Sequence, residues 1–462
     1  MSVQPATGVS FDLAAQTVII GAGACGLTAA LAARDAGQSP LVIERDTIPR
    51  GSTALSAGLV PASGTRFQTA AGIEDSPALL AEDIQAKAGG EADPTIVDRV
   101  AQGAGPALEW LADRYGLPFT VVDDFDYPGH RRRRLHGLPS RTGQDLLDRL
   151  RTAAEAEAID IVYDRTVTTL FADADGRVQG IAACAPDGRE DRIGCDRLIL
   201  ACNGFGGNRA MVREYAPAIG DALYFGHDGN QGDAIRWGQA LGAATRHLGA
   251  FQGHGSVAYP DGILITWAVM TEGGFQINTG GVRFWDESQG YSEAAQAVLA
   301  QPDGIAWDIF DARIAGVARQ FGDFRQAEAA SVFKIADTLD TLAAAIEVPA
   351  ATLASTAATV AAAKAGHAPD PFGRRFVGVP ALTPPFWAVR VTGALFHTQG
   401  GLAIDRDARV LRVDGSGPLP NLWAAGGAAC GVSGSGDRGY LSGNGLLTAI
   451  VLGRIAGAGG AR

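Results

Sequence analysis

Three glycines at Gly21, Gly23 and Gly26, with an acid at Glu44, form the pattern in this chain that carries the clearest chemistry. Gly21 allows a tight turn out of a strand, Gly23 lets the backbone approach a pyrophosphate, and Gly26 lets the next helix pack closely on a sheet. The helix N-terminus then offers free N–H groups and the positive end of its dipole to phosphate. Glu44 is placed to accept hydrogen bonds from a ribose diol. An apolar run over residues 16–20 precedes the pattern, and a helical pattern over residues 26–36 follows it, stopped by Gly37. A second strand, Leu41-Val42-Ile43, completes a βαβ unit that ends at Glu44. This context predicts a bound dinucleotide, and Glu44 suits either NAD or FAD. One complete fingerprint is present, because Asn203-Gly204-Phe205-Gly206-Gly207 lacks the spacing for another.

Two further segments favour FAD. Gly51-Ser52-Thr53-Ala54-Leu55-Ser56-Ala57-Gly58 follows Glu44-Arg45 closely. Its small and hydroxyl residues suit a backbone lying against a ribityl phosphate and a flat ring. Near the other end, Leu422-Trp423-Ala424-Ala425-Gly426-Gly427 is followed by Gly443-Asn444-Gly445. That second glycine-rich region implies that the chain returns to close over the same nucleotide, and it points to redox chemistry.

The elements that must position these residues are readable in outline. Helical patterns fall near residues 76–88, 94–116 and 142–158, and strand-like runs at 159–162, 166–172, 178–183 and 197–201. Residues 225–335 read as loops and short strands, 335–346 and 349–365 as Ala-rich helices, and 446–458 as a terminal helix. The fold class expected is α/β: a Rossmann-type FAD-binding domain with an inserted α+β cap. Residues 1–225 and 377–462 would form the nucleotide domain, and residues 226–376 the cap.

Composition sets the outer bounds. With 462 residues, 47% of them hydrophobic, the chain can build a large core and more than one domain. A net charge of −12 argues against nucleic acid as a partner. The basic run His130-Arg131-Arg132-Arg133-Arg134 reads as a solvated loop. Five cysteines without a CxxC or CxxCH motif exclude a zinc knuckle, a covalent haem and a disulfide framework, and they fit a reducing compartment. No signal-peptide pattern opens the chain, and no apolar run approaches the ~18–20 residues that span a bilayer. A cytoplasmic location is expected.

The motifs taken together resemble the flavoproteins of the fumarate reductase and 3-ketosteroid Δ1-dehydrogenase superfamily. The resemblance rests on GAGACG, GSTALSAG, LILACNGFGGN, GNQGDAIRWGQALGA, GGFQINTGGVRFWDES, HTQGGLAIDRDARV, LWAAGG and SGNGLLTAIVLGRIAG, which span nearly the whole chain. It implies FAD contacts at Gly21, Ala22, Gly23, Cys25, Gly26, Glu44, Arg45, Ser52, Thr53, Ser56, Ala57 and Gly58. It implies further contacts at Val167, Ala201, Asn203, Gly204, Asp233, Gly426, Gly427, Asn444, Gly445, Leu446 and Leu447. Covalent-flavin relatives place a histidine where this chain has Ser52-Thr53, so the FAD is expected to be non-covalent. Substrate is implied to sit between cap and flavin, with a hydride passing between a substrate carbon and flavin N5.

Two departures shape the catalytic expectation. Fumarate reductases carry a proton-delivering arginine after the RF-N-E block; this chain has Tyr291 there, as the ketosteroid branch does. Tyr440 stands where ketosteroid enzymes hold the substrate carbonyl, while Arg438 and His397 follow the fumarate reductase pattern. The resemblance thus implies a ketone dehydrogenase. Tyr291 is the base for the α-proton, Tyr127 its helper, and Tyr440 with a backbone N–H near Gly443 the clamp on the enolate oxygen. His397 and Arg438 would bind a substrate carboxylate or carbonyl, and Asp286 and Glu287 brace their turn. Candidate substrates are ring ketones like 4-oxocyclohexanecarboxylate and 3-ketosteroids. The external electron acceptor would be O2, a quinone or an electron-transfer protein. An enoate reductase of the fumarate type is the alternative. A non-catalytic flavin-binding protein is the alternative of another class, with no reason to keep Tyr291, Tyr440 and His397 at family positions.

Overall fold

The computed structural model describes residues 1–123, 127–376 and 378–459. The expected domain limits at 377 and 462, and Phe125 and Asp126 beside Tyr127, lie outside the described residues. Two large sheets organise the chain. The first has nine strands and is centred on Leu13–Ile20, which pairs in parallel with Pro40–Ile43 on one side and Glu190–Leu200 on the other. Pro418–Ala424 joins in parallel beside the end of Glu190–Leu200, so a strand from the last tenth of the chain lies two places from the first nucleotide strand. The C-terminal ends of these strands, such as Thr17–Ile20, Leu198–Leu200 and Leu422–Ala424, are buried, as a sheet covered on both faces requires.

The helix Ala24–Asp35 leaves this sheet immediately after the glycine turn. It is rich in Ala and Leu, which are strong helix formers. Nearly all of it is buried, and Gly37 at φ +76° ends the chain's helical path. Its neighbour is the terminal helix Asn444–Ala458. A Cβ at Gly453 would lie 2.6 Å from the Cys25 carbonyl oxygen, and one at Gly457 would lie 2.1 Å from that of Ala29. Glycine at both positions lets the two helices meet backbone to backbone.

The second sheet has seven strands built around the long strand Phe386–Thr398. Phe251–Ala258 and Ile305–Asp311 pair with it in antiparallel fashion. This strand follows residue 377, where the sequence suggests a return to the nucleotide domain, so the second sheet continues past that limit. The chain rejoins the first sheet with Arg409–Leu411 and Pro418–Ala424.

Three sequence expectations change. Residues 225–335 hold the helices Asp233–Ala240, Tyr291–Leu299, Ala312–Ala318 and Gly322–Ala329 besides short strands. Each has at most 9 residues, too few for a helical period to stand out. The helix expected over 335–346 begins later, at Leu339, because Lys334–Ala336 pairs as a strand with Phe386–Thr398 and Thr338 forms a capping box. The basic run is not wholly solvated. Arg131 to Arg133 are exposed, but Arg134 is 0% exposed and bonds to Asp75 at 2.9 Å and to Asp83 at 2.7 Å. Two buried carboxylates draw the last arginine of the run inward.

Replacing Arg134 with methionine would leave Asp75 and Asp83 facing each other without their shared cation. Thermal and denaturant unfolding of Arg134→Met should show a loss of about 3–5 kcal/mol. A midpoint equal to that of the wild type would contradict this account of the run.

Candidate active site

A single cleft runs from the glycine turn to the second sheet. At its nucleotide end Gly21 and Gly26 are sterically obligatory, while a Cβ at Gly23 would meet only Thr53 Oγ1, at 3.5 Å. Gly21 has φ +105° and a Cβ there would meet the Ala201 carbonyl oxygen at 2.6 Å. A Cβ on Gly26 would fall 1.8 Å from the Gly21 carbonyl oxygen. Glu44 accepts from the Ala22 N–H at 2.7 Å and from the Asp46 N–H at 3.1 Å. It therefore shapes the glycine loop, while each oxygen keeps a lone pair for a ribose hydroxyl. Thr53 Oγ1 accepts from the Ala24 N–H at 3.1 Å, fixing the 51–58 segment against the helix start.

Other polar groups are poised for a ligand. Ser52 Oγ accepts from Asn203 at 2.8 Å and from Asn230 at 3.1 Å, which leaves its own hydrogen to donate. Asn444, 0% exposed at the start of the terminal helix, has both side-chain amide atoms unpaired. Buried amides are rarely left so without a ligand or water. These features fit a nucleotide lying across the glycine turn and reaching the terminal helix.

The expected nucleotide contacts divide into two groups. Gly21, Gly23, Cys25, Glu44, Arg45, Ser52, Thr53, Ser56, Ala57, Val167, Ala201, Asn203, Gly426, Gly427, Gly445 and Leu446 line the cleft. Ala22, Gly26, Gly58, Gly204, Asp233, Asn444 and Leu447 stand behind that lining. Asp233 pairs with Arg45 at 3.0 Å, and a Cβ on Gly204 would meet Thr398 Oγ1 at 2.1 Å. Asn230, His227 and Arg50 also line this end and were not among the expected residues. Asn230 lies inside the GNQGDA motif, which could have flagged it.

At the other end three tyrosines converge. Tyr291 is the first residue of the helix Tyr291–Leu299 and follows Gly290 at φ +132°. Its ring centroid lies 6.1 Å from that of Tyr440 and 6.2 Å from that of Tyr127. Burial raises the Tyr291 phenol well above its ordinary value, against a hydrogen bond from Ser442. Burial likewise pushes Tyr440 up to about 12, opposed by the N–H groups of Gly445 and Gly443 and by the Tyr291 hydroxyl. The Gly445 N–H stands 3.4 Å from the Tyr440 oxygen. With its oxygen accepting from the backbone, Tyr440 has its hydrogen free for a ligand. Burial also raises Tyr127, whose hydroxyl bonds to Thr266.

His397 is pushed down to about 4 by burial, so its imidazole is neutral. Its Nδ1 lies 2.8 Å from the Gln399 amide nitrogen, and Gln399 Oε1 accepts from Ser433. That arrangement makes Nδ1 an acceptor and leaves Nε2–H as a donor into the cleft. His254, not among the expected residues, also lines the cleft and stacks on Tyr291 at 4.9 Å and on Phe396 at 5.1 Å. Its Nδ1 accepts from the Ser256 N–H at 3.1 Å. A lone histidine between glycines gave no signal of this in the sequence.

Arg438 is exposed and does not line the cleft. Among the described residues, the arginines that do are Arg45, Arg50 and Arg165. The Arg165 backbone N–H donates to the Glu44 carbonyl oxygen while its guanidinium pairs with Asp191, and Arg45 pairs with Asp233, which places both residues at the nucleotide end. Glu287 is buried and bonds to Arg283, Arg374 and the Gln276 N–H, holding the turn before Tyr291. Among the described residues, no helix is long and apolar enough to cross a membrane.

Comparison with known proteins agrees with this geometry. The FAD binding domain family matches residues 16–446. A probable fumarate reductase of Shewanella frigidimarina is 30% identical over 98% of this chain and 76% of its own. A 4-oxocyclohexanecarboxylate 2-dehydrogenase of Sinomonas cyclohexanicum is 26% identical over 92% of each chain. Among solved structures, a 3-ketosteroid-Δ4-(5α)-dehydrogenase of Rhodococcus jostii, in complex with 4-androstene-3,17-dione, superposes with a TM-score of 0.78. That match is 26% identical and covers 99% of this chain and 98% of the other. Sequence, fold and cleft agree: the chain belongs to the FAD binding domain family and is an FAD-dependent oxidoreductase acting on CH–CH or C=C groups.

Proposed function

We propose that the protein is a dehydrogenase that introduces a C=C bond next to the ketone of a cyclic substrate, using non-covalent FAD. The observation that carries this reading is the meeting of Tyr291, Tyr440 and Tyr127 at an apolar end of the cleft. Leu59, Leu135, Trp267 and Phe321 form one apolar cluster there, with Tyr127 and Tyr291 packed against it. A dicarboxylate would need cationic partners, and the cleft's arginines lie at the nucleotide end. Arg438, which would have bound a substrate carboxylate, is exposed outside the cleft. A neutral ring ketone suits this lining better than a keto acid.

In this reading residues 1–225 and the C-terminal segment bind the nucleotide, and the second sheet covers the substrate. Tyr440, its oxygen held by Gly443 and Gly445, donates to the substrate carbonyl and stabilises negative charge developing on that oxygen. His397 Nε2–H is a second donor in the cleft. The Tyr291 oxygen takes the proton from the carbon next to the carbonyl. Ser442 favours the ionised form that this requires, while burial opposes it. Tyr127, held by Thr266, packs against the Tyr291 ring and limits its movement. FAD, when bound, supplies the hydride acceptor for the neighbouring carbon. His397, shared in pattern with fumarate reductases, supports a second reading, reduction of an enoate at the same site.

Tyr291→Phe should retain FAD and lose at least ~100-fold in kcat, the scale of a missing general base. Turnover near that of the wild type would remove Tyr291 from the chemistry. Because burial raises the Tyr291 phenol and only its ionised form is a base, kcat/KM should rise with pH from 7 to 10 without a plateau. A flat or falling profile over that range contradicts the assignment of the base.

A further inference from the structure

The apolar end of the cleft contains an acid that the reaction does not use. Asp323 lines it, in the first turn of the helix Gly322–Ala329 and next to Phe321. That helix packs against the strand Ile263–Leu264, and Leu264 also lines the cleft. Among the described residues, no hydrogen-bond donor pairs with the Asp323 carboxylate. The cation that acts on it, Arg325, is committed to the carbonyl oxygens of Arg319 at 2.6 Å and Gln320 at 3.0 Å. Burial raises the carboxyl above its usual range. Asp323 is half-buried, and its carboxylate, making no hydrogen bond to the described residues, is open to accept one from a ligand in the cleft.

We propose that Asp323 sets substrate specificity by accepting a hydrogen bond from a donor on the ring system remote from the ketone, either a hydroxyl or an ammonium group. This rests on the ketone reading and narrows it: the carboxylate repels an acid at that position and rewards a donor. The substrate class is therefore a cyclic ketone that also bears a hydroxyl or amino group, and not a keto acid.

The test uses the FAD-loaded protein and its Asp323→Asn and Asp323→Ala variants. Dissociation constants are read from the change in flavin absorbance with cyclohexanone, 4-hydroxycyclohexanone, 4-aminocyclohexanone and 4-oxocyclohexanecarboxylate. A steroid pair that differs only by a 17-hydroxyl or a 17-ketone extends the series to larger rings. In the wild type at least one donor-bearing probe should bind at least ~10-fold tighter than its donor-free partner, and the carboxylate should bind more weakly than cyclohexanone. Asp323→Asn should abolish the ammonium preference and the carboxylate penalty but keep part of a hydroxyl preference, since its amide oxygen still accepts. Asp323→Ala should erase both preferences. Binding ratios that stay the same in both variants overturn the assignment. If the ratios shift but no ketone is oxidised, the ketone reading fails and the role of Asp323 stands.

Discussion

Contact between the first and last helices, backbone against backbone, is the constraint on which the rest of the site depends. Gly453 and Gly457 each face a carbonyl oxygen of the first helix that a side chain would displace. Their absence of side chains lets Asn444–Ala458 lie directly on Ala24–Asp35. The turn that starts the terminal helix then stands beside the glycine loop. That turn carries Tyr440, Ser442 and Gly443, so the nucleotide site and the tyrosine cluster are parts of one packing arrangement. A bulky residue at either glycine would part the helices and misplace both.

A second physical theme is neutrality through burial. Removal from water raises the three tyrosines and lowers His397 and His254. The substrate end thus presents neutral donors on rigid elements, with Asp323 as its acid. Of the arginines that line the cleft, Arg45 and Arg165 are paired with Asp233 and Asp191, while Arg141, bonded to Gln320, acts on Tyr127 at the other end.

Much of the nucleotide half was legible because Gly21 and Gly26 are required by backbone contacts that depend on local spacing. Gly21, Gly23 and Gly26 occupy fixed places in a strand, turn and helix, and the pattern names them directly. Tyr291, Tyr440 and His397 were legible through motif resemblance, and all three line the cleft. Arg438 follows the family pattern in sequence but is exposed off the cleft lining, two residues along an irregular turn from the buried Tyr440. His254 and Asp323 gave no local signal, since each reaches the cleft through long-range pairing of elements distant in sequence. The short helices of the middle region were hidden for the same reason: tertiary packing, more than local periodicity, stabilises them.

The direction of the chemistry is tested most directly by mixing the oxidised, FAD-loaded protein with a cyclic ketone in the absence of oxygen. Flavin absorbance is followed, with succinate as a control. The account predicts bleaching by the ketone at a catalytically competent rate and none by succinate. Failure of ketones to bleach the flavin, together with reoxidation of the reduced protein by fumarate or another enoate, would contradict it.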